Sequence, residues 1–446
     1  MNRTILTFEK FGEQTMLKLD RAPSDFPGLG DNCQVNLATL PGGTLVQRGE
    51  GLVDLLRHHR AIREMLTAAL AAPTGSAPSP LYFHVRTSSA DVVAWELIYA
   101  PPHGFCALDR RWPVGRIASL SKPLAPRAFT PPLRMAAILS AAARDGLPQL
   151  RALADALRTA DAAAVGVDLH VISGDQDVCD EALRRGATTE LINPTAPGLA
   201  RQITDAQPHL LHVLCHSGAA AGVRSLVFAH NADFDAYPPG DPNPDAIGSV
   251  RLPVAELVAA LLPSNPWLVV LSACESAQAS GRQDGLALAH KMVSGGIPAV
   301  IGMRRLVDLT ETDRFCAAFY PAALTVIRQA LTPGQPQVRT LDWAEALTAP
   351  RQVMSGADPA TFDSWTDPVL YVQDDPLQVF LPSPQLQSAD PSPQLQSANY
   401  AGRQGKLDQF RGALATLDPA TTHPDMIEEL RARIAELEAA LPQADA

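Results

Sequence analysis

From Arg134 onward, short apolar runs alternate with longer amphipathic stretches, and this alternation most restricts what the chain can fold into. The apolar runs are continuous, as in strands that are buried on both faces. Amphipathic stretches at 147–162 and 285–293 predict helices between them. Strands that alternate with helices indicate an α/β fold, a doubly wound and mostly parallel sheet flanked by helices. The predicted strands are 135–139, 167–172, 210–215, 267–273 and 298–303.

The rest of the chain divides around this core. Residues 1–130 hold a predicted β-hairpin around Gly12, a helix at 53–71 and a strand at 81–85, and form a predicted N-terminal accessory region. A Pro-rich passage at 121–133 marks the boundary with a core at 131–375, because Pro continues neither helices nor central strands. Residues 376–399 contain the octapeptide PSPQLQSA twice and predict an unstructured linker.

The last segment, residues 400–446, carries two apolar stripes at helical spacing and predicts a helical hairpin. The stripes consist of Leu407, Phe410, Leu414 and Leu417, then Ile427, Leu430, Ile434, Leu437 and Leu441. Such a seam serves equally well for two purposes. It either binds a regulatory protein or a second copy through residues 400–441, or packs against the core of its own chain, and both interpretations stay open.

Composition excludes several classes of function. The 446 residues include 47 acidic and 36 basic ones, and the net charge of −11 argues against direct contact with nucleic acid or an anionic membrane. No apolar stretch approaches the roughly 20 residues of a membrane span. The 6 cysteines show no CxxC spacing, so neither a disulfide framework nor a zinc site is expected. No phosphate-binding loop occurs either, and we expect a cytoplasmic protein without metal or cofactor.

A histidine and a cysteine directly follow two of the predicted strands. His216 follows 210–215 and Cys274 follows 267–273, a separation of 58 residues (274 − 216) that allows a crossover between parallel strands. At a shared sheet edge the imidazole would accept the thiol proton and the thiolate would attack a carbonyl carbon. Backbone N–H groups of Cys274, Ser217 and Gly218 would then stabilise the oxyanion. On spacing alone, a core cysteine and a loop histidine remain the alternative.

The strings HLLHVLCHSG and LVVLSACES resemble the catalytic blocks of the caspase-like cysteine peptidases of clan CD. The strings GLALAHKMVSGGIPAVIGM, LVDLTETDRFCAAFYPAAL and SWTDPVLYV resemble the bacterial CHAT branch of that clan. The resemblance covers roughly 81–372 and implies a caspase-like fold, with His216 as general base and Cys274 as nucleophile of an endopeptidase. It also implies a protein substrate and a setting such as antiviral defence or regulated proteolysis. Ser217 stands where the family usually has Gly, a departure that concerns the oxyanion hole.

Charged residues near the predicted dyad point to opposite substrate preferences. Glu275 and Asp284 would pair with a basic substrate side chain, whereas Arg304 and Arg305 would favour an acidic one. Salt bridges within the chain or simple exposure are the alternative for each of the four.

Two other functions are compatible with the sequence. The first is a catalytically idle scaffold that binds partners through its C-terminal helices. The second is an amidase or acyl-transfer enzyme that uses the same dyad on a non-protein substrate, because fold alone does not fix the substrate.

Overall fold

The computed structural model describes residues 3–22, 32–118, 126–220, 223–237, 248–273, 287–305, 309–331 and 338–381. It also describes isolated helical positions at 407, 411–412, 414–415, 427–428, 431–432 and 434–435. The statements below concern these residues.

The strands are numbered in chain order. They are β1 (Thr4–Phe11), β2 (Gln14–Arg21), β3 (Asn32–Val35), β4 (Leu81–Val85), β5 (Tyr99–Ala100), β6 (Gly104–Phe105), β7 (Val114–Ile117), β8 (Arg127–Ala128), β9 (Leu133–Leu139), β10 (Val167–Ser173), β11 (Thr188–Leu191), β12 (Leu210–Leu214), β13 (His216–Ala220), β14 (Val223–Phe228), β15 (Val250–Pro253), β16 (Leu268–Ser272), β17 (Ala299–Met303), β18 (Arg339–Leu341), β19 (Pro368–Val372) and β20 (Leu377–Phe380).

The α-helices that connect and cover them are α1 (Leu45–Arg57), α2 (Arg60–Leu70), α3 (Ser88–Asp91), α4 (Leu147–Ala156), α5 (Ala160–Val165), α6 (Gln176–Arg184), α7 (Ala196–Ala206), α8 (Asn231–Ala236), α9 (Val254–Leu261), α10 (Leu288–Ser294), α11 (Leu309–Ala330), α12 (Trp343–Ala346) and α13 (Thr348–Ser355). No helix among the described residues is long and apolar enough to cross a membrane.

The fold is organised by one sheet of 12 strands, in the order β11-β10-β9-β12-β16-β17-β19-β7-β4-β1-β2-β3. The five strands predicted for the core are β9, β10, β12, β16 and β17, and they lie side by side in parallel. Strands β12, β16 and β17 are buried along their whole length. Burial on both faces follows from the helical crossovers of parallel strands. The predicted α/β class, a mostly parallel sheet flanked by helices, is confirmed.

The N-terminal part of the chain continues the same sheet. Strand β19 runs antiparallel to β17 and parallel to β7, and β7, β4 and β1 follow in parallel. The predicted hairpin is present as β1 and β2, joined at Gly12, whose φ of 61° suits glycine. The predicted strand at 81–85 is β4. The aromatic rings of Phe8, Phe83 and Trp95 stack in the core of this half.

Two predicted helices are each divided into two. The stretch predicted at 53–71 is helical and comprises the end of α1 and all of α2, which are separate because His59 is extended at their junction and accepts a hydrogen bond from the Ile62 amide. The stretch at 147–162 is likewise α4 followed by α5, which Thr159 caps through the Ala162 amide. In both places a side chain that caps a new helix competes with continuation of the old one.

A second sheet, β13-β14-β15, was not predicted from the sequence. Its first strand, HSGAA, consists of small and polar residues and lacks the β-branched and aromatic residues that mark strands. The strand begins directly after Cys215, so the chain passes from the large sheet into the small one at His216.

The C-terminal tail is described only at isolated positions. Leu407 and Ile434 are buried and belong to the same hydrophobic cluster as the large sheet, and Leu414 and Ile427 pack against that cluster. The intervening positions, such as Glu428, are exposed. The stripes therefore face inward at these positions. The linker at 382–399 and the residues that would join two tail helices lie outside the described residues, so the hairpin stays a prediction.

Candidate active site

The two strands that precede the predicted dyad are neighbours. Strands β12 and β16 are parallel, and Leu214 at the end of one pairs with Ser272 at the end of the other. Their carboxyl ends consequently share one edge of the sheet, where functional groups of doubly wound folds gather. His216 follows β12 there. Cys274, Glu275 and Asp284 lie outside the described residues.

The side chain of His216 forms a well-defined hydrogen bond with the loop that follows β9. Its Nε2 atom lies 2.9 Å from the carbonyl oxygen of Ala142. Because a carbonyl oxygen only accepts hydrogen bonds, Nε2 must carry the hydrogen, and the neutral ring then keeps its lone pair on Nδ1. The imidazole is thereby fixed in the tautomer in which Nδ1 acts as a base.

The surroundings of His216 favour the neutral imidazole. Burial lowers the pKa of His216 below its ordinary 6.5, and the positive charge of Arg144 lowers it further. The hydrogen bond to Ala142 acts in the opposite direction and raises the pKa, but burial outweighs it. At neutral pH the ring is accordingly uncharged and ready to accept a proton.

The loop that presents the Ala142 carbonyl is tied to both sheets. Ser140, directly after β9, donates its backbone N–H to Leu214 at 3.0 Å and accepts one from Ala229 at 3.0 Å. Ala143 takes a left-handed conformation, with φ of 61°, and donates its N–H to Tyr237 at 3.1 Å. A non-glycine residue in this region costs about 1–2 kcal/mol, and the surrounding hydrogen bonds hold it there.

The face of the small sheet around His216 carries a row of three paired residues. His216 pairs with Val227 on β14, and Val227 pairs with Arg251 on β15. Paired residues of antiparallel strands lie on the same face, as does Gly218, two residues after His216. Arg251 reaches back across Val227, and its Nη1 atom lies 3.6 Å from the point where a Cβ of Gly218 would stand.

Ser217 and Gly218, the residues predicted for the oxyanion hole, both lie on β13. They pair with Leu226 and Ser225 of β14. Alternation along the strand places the Ser217 side chain on the face opposite His216. The serine therefore adds no bulk on the His216 face.

A buried cluster of charges links the N-terminal part of the chain to this edge of the sheet. The Asp91 carboxylate accepts hydrogen bonds from the Tyr371 hydroxyl at 2.6 Å, Arg116 at 3.2 Å and the Ala287 amide at 3.3 Å. Burial raises the pKa of Asp91, but His290, Arg116 and Tyr371 together bring it below the ordinary value. Ala287 is the first described residue after 273, so Asp91 holds the chain directly before α10.

Glu96 is the second carboxylate of this cluster. It is fully buried and forms salt bridges with Arg116 and Arg304. Burial alone would raise the pKa of Glu96, but Arg116, Arg304 and Arg351 lower it to about 2. Glu96 is thus a buried anion surrounded by three cations, a situation in which removing either sign leaves an uncompensated charge.

Both arginines predicted to bind substrate are ion-paired within the chain. Arg304 binds Glu96, and its backbone N–H donates to Asp367 at 3.0 Å. Arg305 binds Asp363 at 2.6 Å and Asp367 at 2.8 Å, and these carboxylates raise its pKa. These contacts correspond to the alternative noted from sequence, in which the arginines form salt bridges.

Three features of the site have little or no signal in the sequence. The Ala142 carbonyl is a backbone group, and no residue type marks it. Asp91 and Glu96 come from a distant part of the chain, Glu96 being 208 residues from Arg304. Arg251 alternates with Val250 and Leu252, a pattern that indicates a strand with one exposed face but not which residues of the neighbouring strands lie beside it.

Among the described residues, no group of three His, Cys, Asp or Glu side chains is arranged to hold a metal ion.

Comparison with known proteins identifies a family that covers most of the chain. The CHAT domain family matches residues 57–371, a range that includes His216, Cys274, Arg251 and the charge cluster. No curated protein matches the sequence. Among solved structures, Saccharomyces cerevisiae separase in complex with securin is similar, with 13% identity and a TM-score of 0.36. That similarity covers 75% of this chain and 19% of the other chain, so this chain spans about a fifth of that protein.

Proposed function

Because the chain belongs to the CHAT domain family, we propose that it is a caspase-like cysteine endopeptidase that cleaves a partner protein through His216 and Cys274. The observation that carries the proposal is the hydrogen bond from Nε2 of His216 to Ala142, which leaves Nδ1 as a base. This base stands where β12 and β16 end side by side, and Cys274 is two residues beyond the end of β16.

The proposed reaction begins with proton transfer from the Cys274 thiol to Nδ1 of His216. The thiolate sulfur forms a bond with the scissile carbonyl carbon, and the π-electron pair moves to the oxygen. The backbone N–H of Cys274 and that of either Ser217 or Gly218 stabilise this oxyanion, because consecutive N–H groups of β13 point in opposite directions and only one of the two can reach it. Nδ1–H then protonates the leaving amine as the C–N bond breaks, and water hydrolyses the thioester with His216 again as base.

The other cysteines support the choice of Cys274. Cys106, Cys179, Cys215 and Cys316 are buried and are not part of a disulfide. Burial raises the pKa of Cys106 to about 12 and also raises that of Cys316, so neither forms a thiolate at neutral pH. Their free state also favours a reducing compartment such as the cytoplasm.

The setting that we propose is defence against viruses or another form of regulated proteolysis, in which a regulatory protein or self-association through 400–441 controls activity. The inward-facing Leu407 and Ile434 favour a tail that rests on its own enzyme until it is displaced. A chain that stops before Pro382 should then differ from the full chain in peptidase activity or in partner binding. Identical behaviour in both respects would exclude a regulatory tail.

The proposal is tested by comparing protein N-termini across the proteome of producing cells, before and after phage infection. Cells with the wild-type chain should contain new N-termini that are missing with Cys274→Ala and with His216→Ala. Cys33→Ala removes a cysteine outside the proposed dyad and is the matched control. Identical N-terminal profiles for wild type and Cys274→Ala would exclude proteolysis.

Ser217 is the one observation that favours an idle scaffold, because it replaces the glycine that the family usually has. In that case the chain would bind partners through its C-terminal helices, and the N-terminal profiles would not change. New N-termini that require both Cys274 and His216 would exclude this alternative.

A further inference from the structure

We propose that Arg251 is a specificity-determining residue that binds an acidic side chain of the substrate next to the scissile bond. This inference deepens the function proposed above and rests on it. It assigns a substrate class, proteins with Asp or Glu beside the cleaved bond, that neither Arg304 nor Arg305 supplies, since both are already ion-paired.

The register of the small sheet brings Arg251 to the side of His216. His216, Val227 and Arg251 form one cross-strand row, and their side chains share a face. Gly218 lies on that face as well, about 6.7 Å along the strand from His216. The Arg251 guanidinium approaches this glycine to 3.6 Å, measured from Nη1 to the position of a Cβ. A positive charge is therefore placed beside both the base and the predicted oxyanion hole.

The absence of a side chain at Gly218 leaves room for the guanidinium and for a ligand. A Cβ at this position would lie 3.2 Å from Val227 Cγ2, closer than ordinary contact, and would stand between β13 and Arg251. Val227 is fully buried, although it does not belong to the main hydrophobic cluster. The floor of the site beside Gly218 is thus apolar.

Arg251 also differs from Arg304 and Arg305 in its partners. Its side chain is exposed, and it makes no hydrogen bond or salt bridge with any residue that the structure describes. The guanidinium groups of Arg304 and Arg305 form salt bridges with carboxylates of the chain, namely Glu96, Asp363 and Asp367. An arginine presents five N–H donors in a planar fork that matches a carboxylate, so Arg251 has its full capacity available for a ligand.

Arg144 reinforces the choice of an anion. It lies in the loop that follows β9, and its charge lowers the pKa of His216. Two positive charges around a neutral base repel a basic substrate side chain and attract an acidic one. A carboxylate that bridges to Arg251 would also orient the substrate backbone along β13.

The test measures cleavage of a peptide library prepared from a bacterial proteome, with wild type, Arg251→Gln and Arg251→Lys. The wild type should enrich Asp or Glu at one position beside the cleaved bond. Arg251→Gln should lower kcat/KM for these peptides roughly 10- to 100-fold, and hardly change it for matched peptides with Asn or Gln. Arg251→Lys should recover part of the loss, since it keeps the charge without the fork.

Arg158→Gln is the matched control. It also removes one guanidinium, but Arg158 follows α4, which returns from the carboxyl end of β9 to the opposite edge of the sheet. It should leave the preference for acidic peptides unchanged. Cleavage without an acidic preference, or a preference that survives in Arg251→Gln, would overturn the proposal.

A second readout does not require activity. In Cys274→Ala protein with ¹⁵N-labelled arginine, the Nε–Hε signal that disappears in Arg251→Gln belongs to Arg251. An alanine-rich hexapeptide with a central Asp should shift this signal, and the same peptide with Asn should not. If neither the wild type nor any variant cleaves a peptide, the proposed endopeptidase function is excluded. In that case the shift of the Arg251 Nε–Hε signal alone decides whether Arg251 binds carboxylates. If the Asp peptide does not shift this signal, the inference about Arg251 is overturned as well.

Discussion

The Nε2–H of His216 points at the carbonyl oxygen of Ala142, 2.9 Å away and 74 residues earlier in the chain. The loop that carries this carbonyl is itself held by the ends of β12 and β14, through Leu214 and Ala229. The tautomer of the histidine is therefore determined by the meeting point of the two sheets. A change in this loop should act on catalysis without touching either member of the proposed dyad.

The pH dependence of cleavage should reflect the lowered pKa of His216. The neutral imidazole is the active form, so kcat/KM falls as acid protonates it, and this acid limb should lie below pH 6.5. Arg144→Gln removes a positive charge that lowers the pKa, and it should move the acid limb to higher pH. A pH profile of kcat/KM for each variant measures the effect. Arg144→Lys keeps the charge and should stay close to wild type, and equal profiles for Gln and wild type would contradict the role of Arg144.

Substitution of Ala143 should separate backbone strain from side-chain chemistry. Ala143→Gly removes the steric cost of the left-handed φ and should keep both stability and activity. Ala143→Val places a β-branched side chain in this region and should cost about 1–3 kcal/mol of unfolding free energy. It should also lower kcat, because the Ala142 carbonyl moves relative to His216. Urea unfolding and kcat measurements test this, and a fully active, equally stable Val variant would contradict it.

Glu96→Gln should destabilise the protein strongly and in a pH-dependent manner. The substitution leaves the buried Arg116 and the partly buried Arg304 without their shared counter-charge, at a cost of about 3–5 kcal/mol near pH 7. Because folding lowers the pKa of Glu96 from 4.5 to about 2, the carboxylate contributes about 3 kcal/mol above pH 4.5. That contribution is lost progressively as the pH falls through about 2.

Urea unfolding at pH 7 and at pH 4 checks this prediction, and the gap between wild type and Glu96→Gln should narrow at the lower pH. Glu64→Gln is the matched control. Glu64 forms an exposed salt bridge with Arg60 one helical turn away, and its loss should cost less than about 0.5 kcal/mol. A gap that is independent of pH would show that Glu96 is not charged in the folded protein.

Alkylation by iodoacetamide at pH 7.5 should distinguish the cysteines. Cys274 should react first, and its rate should fall in His216→Ala, because the thiolate depends on the imidazole. Cys106 and Cys316 should react only after denaturation, since both are buried with raised pKa values. Mass spectrometry of peptides locates each label. Equal reactivity of Cys274 with and without His216 would contradict the dyad.

Leu407→Ala should report whether the tail is part of the folded core. Leu407 is 2% exposed within the main hydrophobic cluster, and truncation of a buried leucine costs about 2–5 kcal/mol. The 5 tryptophans run from Trp95 to Trp365, and none lies in the tail at 400–446. Their fluorescence therefore reports unfolding of the part of the chain before the tail. The midpoint of urea unfolding measured by this fluorescence should fall in Leu407→Ala. It should stay within error of the wild type in Glu428→Ala, which changes an exposed residue and is the control. An unchanged midpoint in Leu407→Ala would mean that the tail folds independently of the core.

The parts of the fold that were predicted correctly are those in which neighbouring residues specify the structure. Continuous apolar runs gave β9, β16 and β17, because strands buried on both faces have few places for polar side chains. Strands β10 and β12 were also predicted, although they contain Asp168, His170 and His212. The hairpin at Gly12 followed from an equally local pattern. His212 on β12 contacts Gln149 at 2.8 Å and Tyr320 at 2.7 Å, so this buried histidine is hydrogen-bonded within the core.

The parts that were not predicted depend on contacts between distant segments. The small sheet begins with HSGAA, whose composition does not favour strands, and tertiary pairing with β14 overrides that local preference. The salt bridge of Glu96 with Arg304 joins segments that have no common pattern. The position of His216 was predicted from its strand, whereas its tautomer depends on a carbonyl that only the folded loop supplies.

Strand β19 sets a limit on how the chain can be trimmed. It is the last strand of the large sheet in chain order, and it is hydrogen-bonded to β17 on one side and to β7 on the other. A nick beyond Leu381 would leave every strand of that sheet in place. A chain that ends before Pro368 would lose the strand between the half that carries His216 and the half that supplies Asp91 and Glu96. Maturation by C-terminal cleavage is therefore compatible with this architecture only beyond β19.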